Sequence, residues 1–228
     1  MRLLEAALLA ALPLLAQAPR VTIVTGGHDH EPSFYAVFDA PRIKARVDPH
    51  PVAFTRDLRR NTDVLVLYDM LQDIPEAQRA NLRQFAEAGK GIVVLHHALC
   101  SYNGWEWYWR ELVGGSYLMK SSTFLHDVDL EIEAVTPHAI TKGLAPMKIN
   151  DETYHGMWIS PSNKVLLRTG HPTSDGPVAW ISAYDKSRVV VIQLGHGPLA
   201  HRHEGFRKLV LNAIDWAAGR GEGSRAAR

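Results

Sequence analysis

Twelve histidines in a chain of 228 residues are the first feature that bears on chemistry. A neutral imidazole ligates metals, and its ordinary pKa suits it to move protons near neutral pH. Five of these histidines follow apolar runs. His28 and His30 come after Val21–Thr25 and Gly26-Gly27, His96 and His97 after Gly91–Leu95, and His196 after Val189–Leu194 and Gly195. His201 and His203 lie close behind the last of these, whereas His50, His126 and His171 follow no such run. If the runs are strands of one α/β sheet, their carboxyl ends deliver imidazoles to the crevice where such sheets bind ligands. His28-Asp29-His30 puts two rings on one side of an extended segment, because alternate residues share a face. Adjacent His96 and His97 cannot do the same in a strand, so one enters the site and the other packs or caps a helix.

The spacing matches neither H-E-x-x-H nor a cysteine-containing zinc signature. Two alternatives stand. One is a divalent metal such as zinc, with His28, His30, His96 and His196 as candidate ligands; the other is a metal-free acid–base site. Asn150–His155 adds Asp151, Glu152 and Tyr154, which suit proton transfer or hydrogen bonds to hydroxyl groups, or else form a solvated loop. Trp105, Trp107, Tyr108 and Trp109 crowd one stretch after His97; part of it is core, and one ring such as Trp105 could stack on a sugar. Cys100 lies beyond the fourth strand without an elbow around it and reads as a buried or incidental thiol.

Those residues need a scaffold, and the pattern supplies one. Val21–Thr25, Ile43–Val47, Val64–Tyr68 and Gly91–His96 read as strands. Between the last two, Ile74, Ala77, Leu82, Phe85 and Ala86 recur at helical spacing until Gly89. Helical signals also fall at Pro32–Phe38, Trp105–Val113 and Glu204–Ala218. Unbroken apolar strands separated by helices imply a parallel sheet covered on both faces. Val128–Val135, Val165–Thr169, Val178–Ala183 and Val189–Leu194 follow with short turns, Tyr184–Ser187 reading as a hairpin, and extend the sheet with antiparallel strands.

Lys and Arg number 25 against 24 Asp and Glu, so the near-zero net charge of +1 argues against an electrostatic nucleic-acid binder. One cysteine excludes an internal disulfide and any cysteine-based cluster. No dinucleotide-binding glycine fingerprint, phosphate loop or G-x-S-x-G elbow is present. Residues 1–18 have a basic start, an Ala/Leu run and an Ala16-Gln17-Ala18 ending, the pattern of a secretory signal peptide. An N-terminal amphipathic helix is the alternative. Export predicts a periplasmic or secreted protein, one domain over 19–220, no membrane segment after processing, and a disordered tail over 221–228.

Several short motifs, in order, carry a resemblance. Thr25-Gly26-Gly27-His28-Asp29-His30, Gly91–His97, Leu112-Val113-Gly114-Gly115, Thr136–Leu144, Asp151-Glu152-Thr153-Tyr154 and Gly195-His196 resemble the ThuA-like (trehalose utilisation) family. The resemblance covers about residues 20–219. It implies a flavodoxin-like fold related to class I glutamine amidotransferases, whose nucleophilic cysteine follows the strand corresponding to Gly91–Leu95. His96-His97 hold that place here, so cysteine-dependent glutamine hydrolysis is not expected. The family is linked to disaccharide catabolism, often beside dehydrogenases that make 3-keto sugars. The leading expectation is thus a carbohydrate-active hydrolase, lyase or isomerase for a glycoside or 3-keto-glycoside. His96, Glu152, His196 and Tyr154 would be catalytic, with His28, His97, Trp105 and Asp151 binding substrate. The alternatives are a non-catalytic sugar-binding or assembly domain and, more weakly, a metal-storage or metal-sensing protein. The expected partner is a small-molecule sugar, with homo-oligomerisation open.

Overall fold

The computed structural model describes residues 17–220, so the expected signal peptide (all but its last two residues) and the expected tail lie outside the described residues. The unbroken apolar runs form the centre of a sheet. β1 (Arg20–Gly26), β2 (Lys44–Val47), β3 (Val64–Asp69) and β4 (Gly91–Leu95) pair in parallel. Every residue of β3 and β4 is buried, which explains why neither alternates polar with apolar residues. Helix α1 (Glu76–Glu87) connects them and turns Leu82, Phe85 and Ala86 inward. Gly89, at φ +75°, ends that connection in a conformation that favours glycine.

The later chain adds β5 (Gly115–Ser116), β6 (Thr123–Ala134), β7 (Met147–His155), β8 (Trp158–Ile159), β9 (Lys164–Thr169), β10 (Pro177–Ile181) and β11 (Val189–Ile192). Helices α2 (Pro198–Arg202) and α3 (Glu204–Ala217) close it. The large sheet runs β2-β1-β3-β4-β11-β10-β9-β6-β7, and β5 with β8 makes a separate two-stranded ribbon. β11 is parallel to β4, whereas β10, β9, β6 and β7 are antiparallel to their neighbours. The turn around Tyr184–Ser187 joins the antiparallel pair β10 and β11, as expected of a hairpin.

Two apolar layers cover the sheet. The short helix Pro32–Phe38 and α3 pack on one face through Phe34, Val37, Phe206, Leu209 and Ile214. α1, the 3-10 turn His96–Cys100 and Trp107–Val113 cover the other with Leu82, Phe85, Leu99, Tyr108 and Leu112. Burying each of these larger side chains stabilises the fold by about 2 kcal/mol. The parallel α/β sheet with helices on both faces and an antiparallel extension is as expected.

Four local details differ from the sequence pattern. Trp107–Val113 is a π-helix rather than an ordinary helical turn from Trp105. Gly114, at φ +66°, stops it where a Cβ would lie 2.3 Å from Asn163 Oδ1. The strand expected at Val128–Val135 begins at Thr123, with an irregularity between Leu125 and Val128 that breaks its alternation. Asn150–His155 is no solvated loop but part of β7, an edge strand whose Asp151–Tyr154 are buried because a neighbouring layer covers them. The β5–β8 ribbon is too short to leave a periodic signal.

Histidines also shape the scaffold. His203 Nδ1 accepts hydrogen bonds from the N–H groups of Gly205 and Phe206, capping α3. His201, buried beside Phe34, Tyr68 and Phe206, donates from Nε2 to the Gly195 carbonyl (2.9 Å). Its Nδ1 is thereby left to accept from Ser33 Oγ at 2.9 Å. Burial pushes its pKa from 6.5 down to about 4, so the unfolded chain takes up this proton more readily than the folded one. The neutral ring's contribution is therefore present above pH 6.5 and lost as pH falls from 6.5 to 4. In urea denaturation, His201→Gln should lower stability at pH 7 and flatten the loss between pH 6.5 and 4 by about 2 kcal/mol. An unchanged pH slope would show that the ring does not remain neutral in the fold.

Candidate active site

Three strand ends and one far edge build the site. β4 hands over to His96, which sits at φ +46°, a left-handed conformation that a side chain larger than glycine rarely adopts. Its Nδ1–H donates to the Gln193 carbonyl (2.8 Å) just beyond β11. In the neutral ring Nε2 then carries the lone pair, in the imidazolium a second N–H, and it is this nitrogen that faces the cavity. His196 follows β11 through Gly195, whose φ of +118° and 2.8 Å approach of a would-be Cβ to Phe206 leave no room for a side chain.

Glu152 and Tyr154 come from β7, where they share a face as i and i+2. β7 lies four places beyond β11 in the sheet order, yet it curls back over the strand ends. Asp151 fastens it there: its carboxylate accepts from Gly195 N–H at 2.7 Å, His196 N–H at 2.9 Å and Glu152 N–H at 2.8 Å. Gln193 Nε2 adds a bond to the Glu152 carbonyl at 2.8 Å.

The result is a tight cluster. His96 Nε2 lies 2.9 Å from Glu152 Oε2 and 3.0 Å from His196 Nδ1, and His196 Nδ1 lies 3.1 Å from the same oxygen. Tyr154 Oη is 3.3 Å from His96 Nε2. His126, in the irregular part of β6, brings Nδ1 to 3.4 Å from Glu152 Oε1. Among the described residues, His96, Glu152 and His196 are the set of three whose ligand atoms fall within 4.8 Å of one another.

Burial pulls the Glu152 carboxyl up, but hydrogen bonds from His196 and His96 outweigh it and hold the group well below the ordinary carboxylate range. The hydrogen bond to Glu152 raises the pKa of His196. Burial keeps the Tyr154 phenol well above its usual range, so it stays a donor. Burial likewise pushes the Asp151 carboxyl up, opposed in part by His96 and the backbone N–H groups.

These groups open into a small cavity of about 150 Å³, bordered also by His28, His97, Met70, Cys100, Tyr117, Met119 and Phe124. Beside it, and sharing His28 and His196, is a cleft of about 390 Å³ lined by Asp29, His30, Glu31, Asp127, Asn150 and Asp151. A larger cavity of about 730 Å³ lies away from this cluster, around Arg42, Lys142, Asp215 and Trp216. Among the described residues its His138 and Asp215 form no ion pair with each other, so the two smaller cavities around the imidazole–carboxylate cluster are the better candidate.

The site residues expected from sequence divide accordingly. His96, Glu152, His196 and Tyr154 come together. Asp151 is buried against backbone N–H groups and holds the site rather than facing ligand with a free oxygen. His97 is buried, donates from Nε2 to the Tyr68 carbonyl (3.0 Å) and stacks on His28. His28 Nδ1 is held by the Asp29 carbonyl, and His30 bonds Tyr35 through Nε2, so neither ring belongs to the three-ligand cluster. Trp105 does not border either cavity; it packs against Tyr102, Trp107, Tyr108 and the Arg79 guanidinium. Cys100 is buried as expected, its thiol pushed by burial up to about 12.

His126, given no role by sequence, is the residue that pattern reading missed: it precedes the strand expected at Val128–Val135, in the part of β6 where the register shifts. His50 was also given no role, and it forms a buried pair with Asp69 at 3.1 Å.

An α/β sheet with this order of parallel strands and a polar crevice beyond their carboxyl ends defines a flavodoxin-like protein. Residues 20–217 match the family model described as ThuA, trehalose utilisation, and the chain belongs to that family. It is similar to a ThuA-like protein of known structure from Parabacteroides merdae ATCC 43184, with 16% identity, TM-score 0.76, and coverage of 90% of this chain and 91% of that one. A second ThuA-like protein, from Bacteroides uniformis ATCC 8492, shows 20% identity and TM-score 0.70 over 91% of this chain and 95% of that one. A β-galactosidase from Rahnella sp. R3 matches at 16% identity and TM-score 0.61 over 86% of this chain but only 30% of its own length. At these identities the likenesses show the fold alone. No curated protein matches the chain.

Because Asp151 accepts three backbone N–H groups, Asp151→Asn should turn an amide donor toward at least one of them. Urea denaturation should show a loss of about 3 kcal/mol, with faster hydrogen exchange at the Gly195 and His196 amides. Unchanged stability and exchange would refute the fastening role.

Proposed function

We propose that this ThuA-family chain is a carbohydrate-active enzyme that cleaves or isomerises a glycoside or 3-keto-glycoside. The observation that carries this reading is the convergence of Glu152, His96, His196, His126 and Tyr154 on one small cavity. A polar cleft adjoins it, with room for the remainder of a hydroxylated substrate. Membership in a family described by trehalose utilisation supports a sugar as the substrate class. The signal-like pattern of residues 1–18 supports a place of action in the periplasm or outside the cell.

The chemistry follows from a ketone at C3. It acidifies the C2–H bond, and loss of that proton forms an enolate. The electrons then form the C1–C2 double bond and expel the glycosidic oxygen, which takes up a proton. Addition of water across the enone returns the 3-keto sugar, so atoms and protons balance. The enzyme must supply a base, a proton donor and stabilisation of the enolate oxygen. The His126–Glu152 couple, at the mouth of the cavity, suits proton removal and return. Tyr154 can donate its O–H toward the oxygen, and the His96–Glu152–His196 cluster is where its charge would be met.

The sugar-binding alternative leaned on Trp105, which borders neither cavity, so the observations favour the enzyme. His96→Ala and Glu152→Ala should each lower turnover of a 3-keto-disaccharide by at least about 100-fold, with the fold checked by circular dichroism. Turnover unchanged in both variants would overturn the assignment.

A further inference from the structure

We infer that His96 Nε2, His196 Nδ1 and Glu152 Oε2 bind one divalent cation of the zinc or first-row transition-metal class. The ion's role rests on the glycoside reading above; its binding does not. The argument begins with spacing. An ion with bonds of about 2.0–2.1 Å holds neighbouring ligand atoms about 2.9 Å apart at right angles and about 3.4 Å apart at tetrahedral angles. The three distances here are 2.9, 3.0 and 3.1 Å, within that interval and nearer its lower end. They describe one triangular face of a coordination shell, with the remaining positions left to water or substrate, as in other two-histidine, one-carboxylate sites.

The proton inventory points the same way. The Gln193 carbonyl takes the Nδ1 proton of His96, so the ring's other nitrogen offers a lone pair to a carboxylate oxygen 2.9 Å away. Two electron-rich atoms at that distance need a positive centre between them, either a second proton on the imidazole or a cation bound by both. A proton serves one such pair, whereas His196 Nδ1 closes on both atoms at 3.0 and 3.1 Å, which is the arrangement a shared cation accounts for. The Gln193 carbonyl is then the outer partner that fixes the ring's tautomer and raises its basicity, a usual feature of histidine ligands.

The outer carboxylate oxygen has a partner of its own. Glu152 Oε1 faces His126 Nδ1 at 3.4 Å, so Oε2 can bind the ion while Oε1 holds the imidazole that handles the proton. His96 and Glu152 are buried and His196 half-buried, which places the ligands just beyond two packed strands and within a buried stretch of β7 rather than on a free loop.

The donor set also sets the class of metal. Two imidazoles with one carboxylate suit zinc, manganese, iron(II) or cobalt(II) better than magnesium or calcium, which prefer oxygen ligands. No thiolate contributes: Cys100 Sγ lies against Tyr154. In the keto-glycoside reaction such an ion would polarise the C3 oxygen and stabilise the enolate.

The test uses tag-free full-length protein, stripped with a chelator and titrated with zinc(II) and with cobalt(II). Calorimetry should give one equivalent per chain, and cobalt should give the visible ligand-field absorption of a nitrogen/oxygen site. His96→Ala and the near-isosteric Glu152→Gln should each weaken zinc binding by at least about 100-fold, no less than loss of an outer-shell partner costs. His30→Ala should leave it unchanged, and circular dichroism will show whether each variant folds. Failure of the wild type to bind one equivalent, or binding unaffected by both ligand variants, would overturn the site. Turnover of a 3-keto-disaccharide separates the two readings. Stoichiometric metal at this triad without turnover leaves the site standing and removes the sugar reading, whereas turnover by stripped protein that binds no metal does the reverse.

Discussion

The buried Asp151 carboxylate accepts hydrogen bonds from the backbone N–H groups of Glu152, Gly195 and His196. The two from Gly195 and His196 join the last strand of the sheet order to the turn after β11, four places away. Without that link, nothing in the pairing of the sheet would hold Glu152 over the histidines. A buried carboxylate costs free energy unless its lone pairs are satisfied, and three N–H groups satisfy most of them. The desolvation penalty therefore acts as a constraint: β7 is stable in this register only when it lies on the Gly195–His196 backbone. The same turn requires glycine at 195, because the Phe206 ring occupies the space of a side chain. Below it, the Gly195 carbonyl accepts from Tyr68 Oη and His201 Nε2. Both faces of one peptide turn are thus engaged, and His196 is carried on a fixed support.

The parallel half of the fold is legible in the sequence because its strands are buried on both faces and need no alternation to be recognised. β3 and β4 appear as short unbroken apolar runs, and α1 between them shows its buried Leu82, Phe85 and Ala86 at helical spacing. From that much, His96 and His196 could be assigned to one edge. The antiparallel half is less legible. Met147–His155 alternates poorly because Asp151, Glu152 and Thr153 are buried by contacts from a layer that sequence does not place. His126 escaped notice for a related reason: the irregularity between Leu125 and Val128 breaks the period that would have located its ring. Trp105 shows the opposite failure. An aromatic cluster reads as a sugar platform or as core with equal ease, and the ring packs on Tyr102 and Trp107.

His97 and His28 illustrate how one composition signal divides into separate physical tasks. His97 donates to the Tyr68 carbonyl, lies against the Tyr68 ring and is kept neutral by burial, its pKa pushed down to about 2. It supports the floor of the cavity without offering a proton there. His28 stacks on it from the solvent side and borders both cavities. Position at a strand end was therefore a good guide to neighbourhood and a poor guide to task, which depends on the hydrogen bond each ring nitrogen makes.

The left-handed backbone at His96 links this geometry to its chemistry. A non-glycine residue in that conformation carries strain that surrounding contacts must hold in place. Here the Gln193 carbonyl binds Nδ1, while β4 and the His96–Cys100 turn bury the ring completely. A bend of this kind just after a central parallel strand presents whatever side chain occupies it to the crevice. With a thiol it would present a nucleophile; with an imidazole whose Nδ1 proton is already committed, it presents a lone pair. The neighbouring Glu152 and His196 then decide what that lone pair meets, and their positions depend on the Asp151 link. The fold supplies an edge that receives side chains, and the residue type at position 96 decides which atom, here an imidazole nitrogen, stands beside Glu152 and His196.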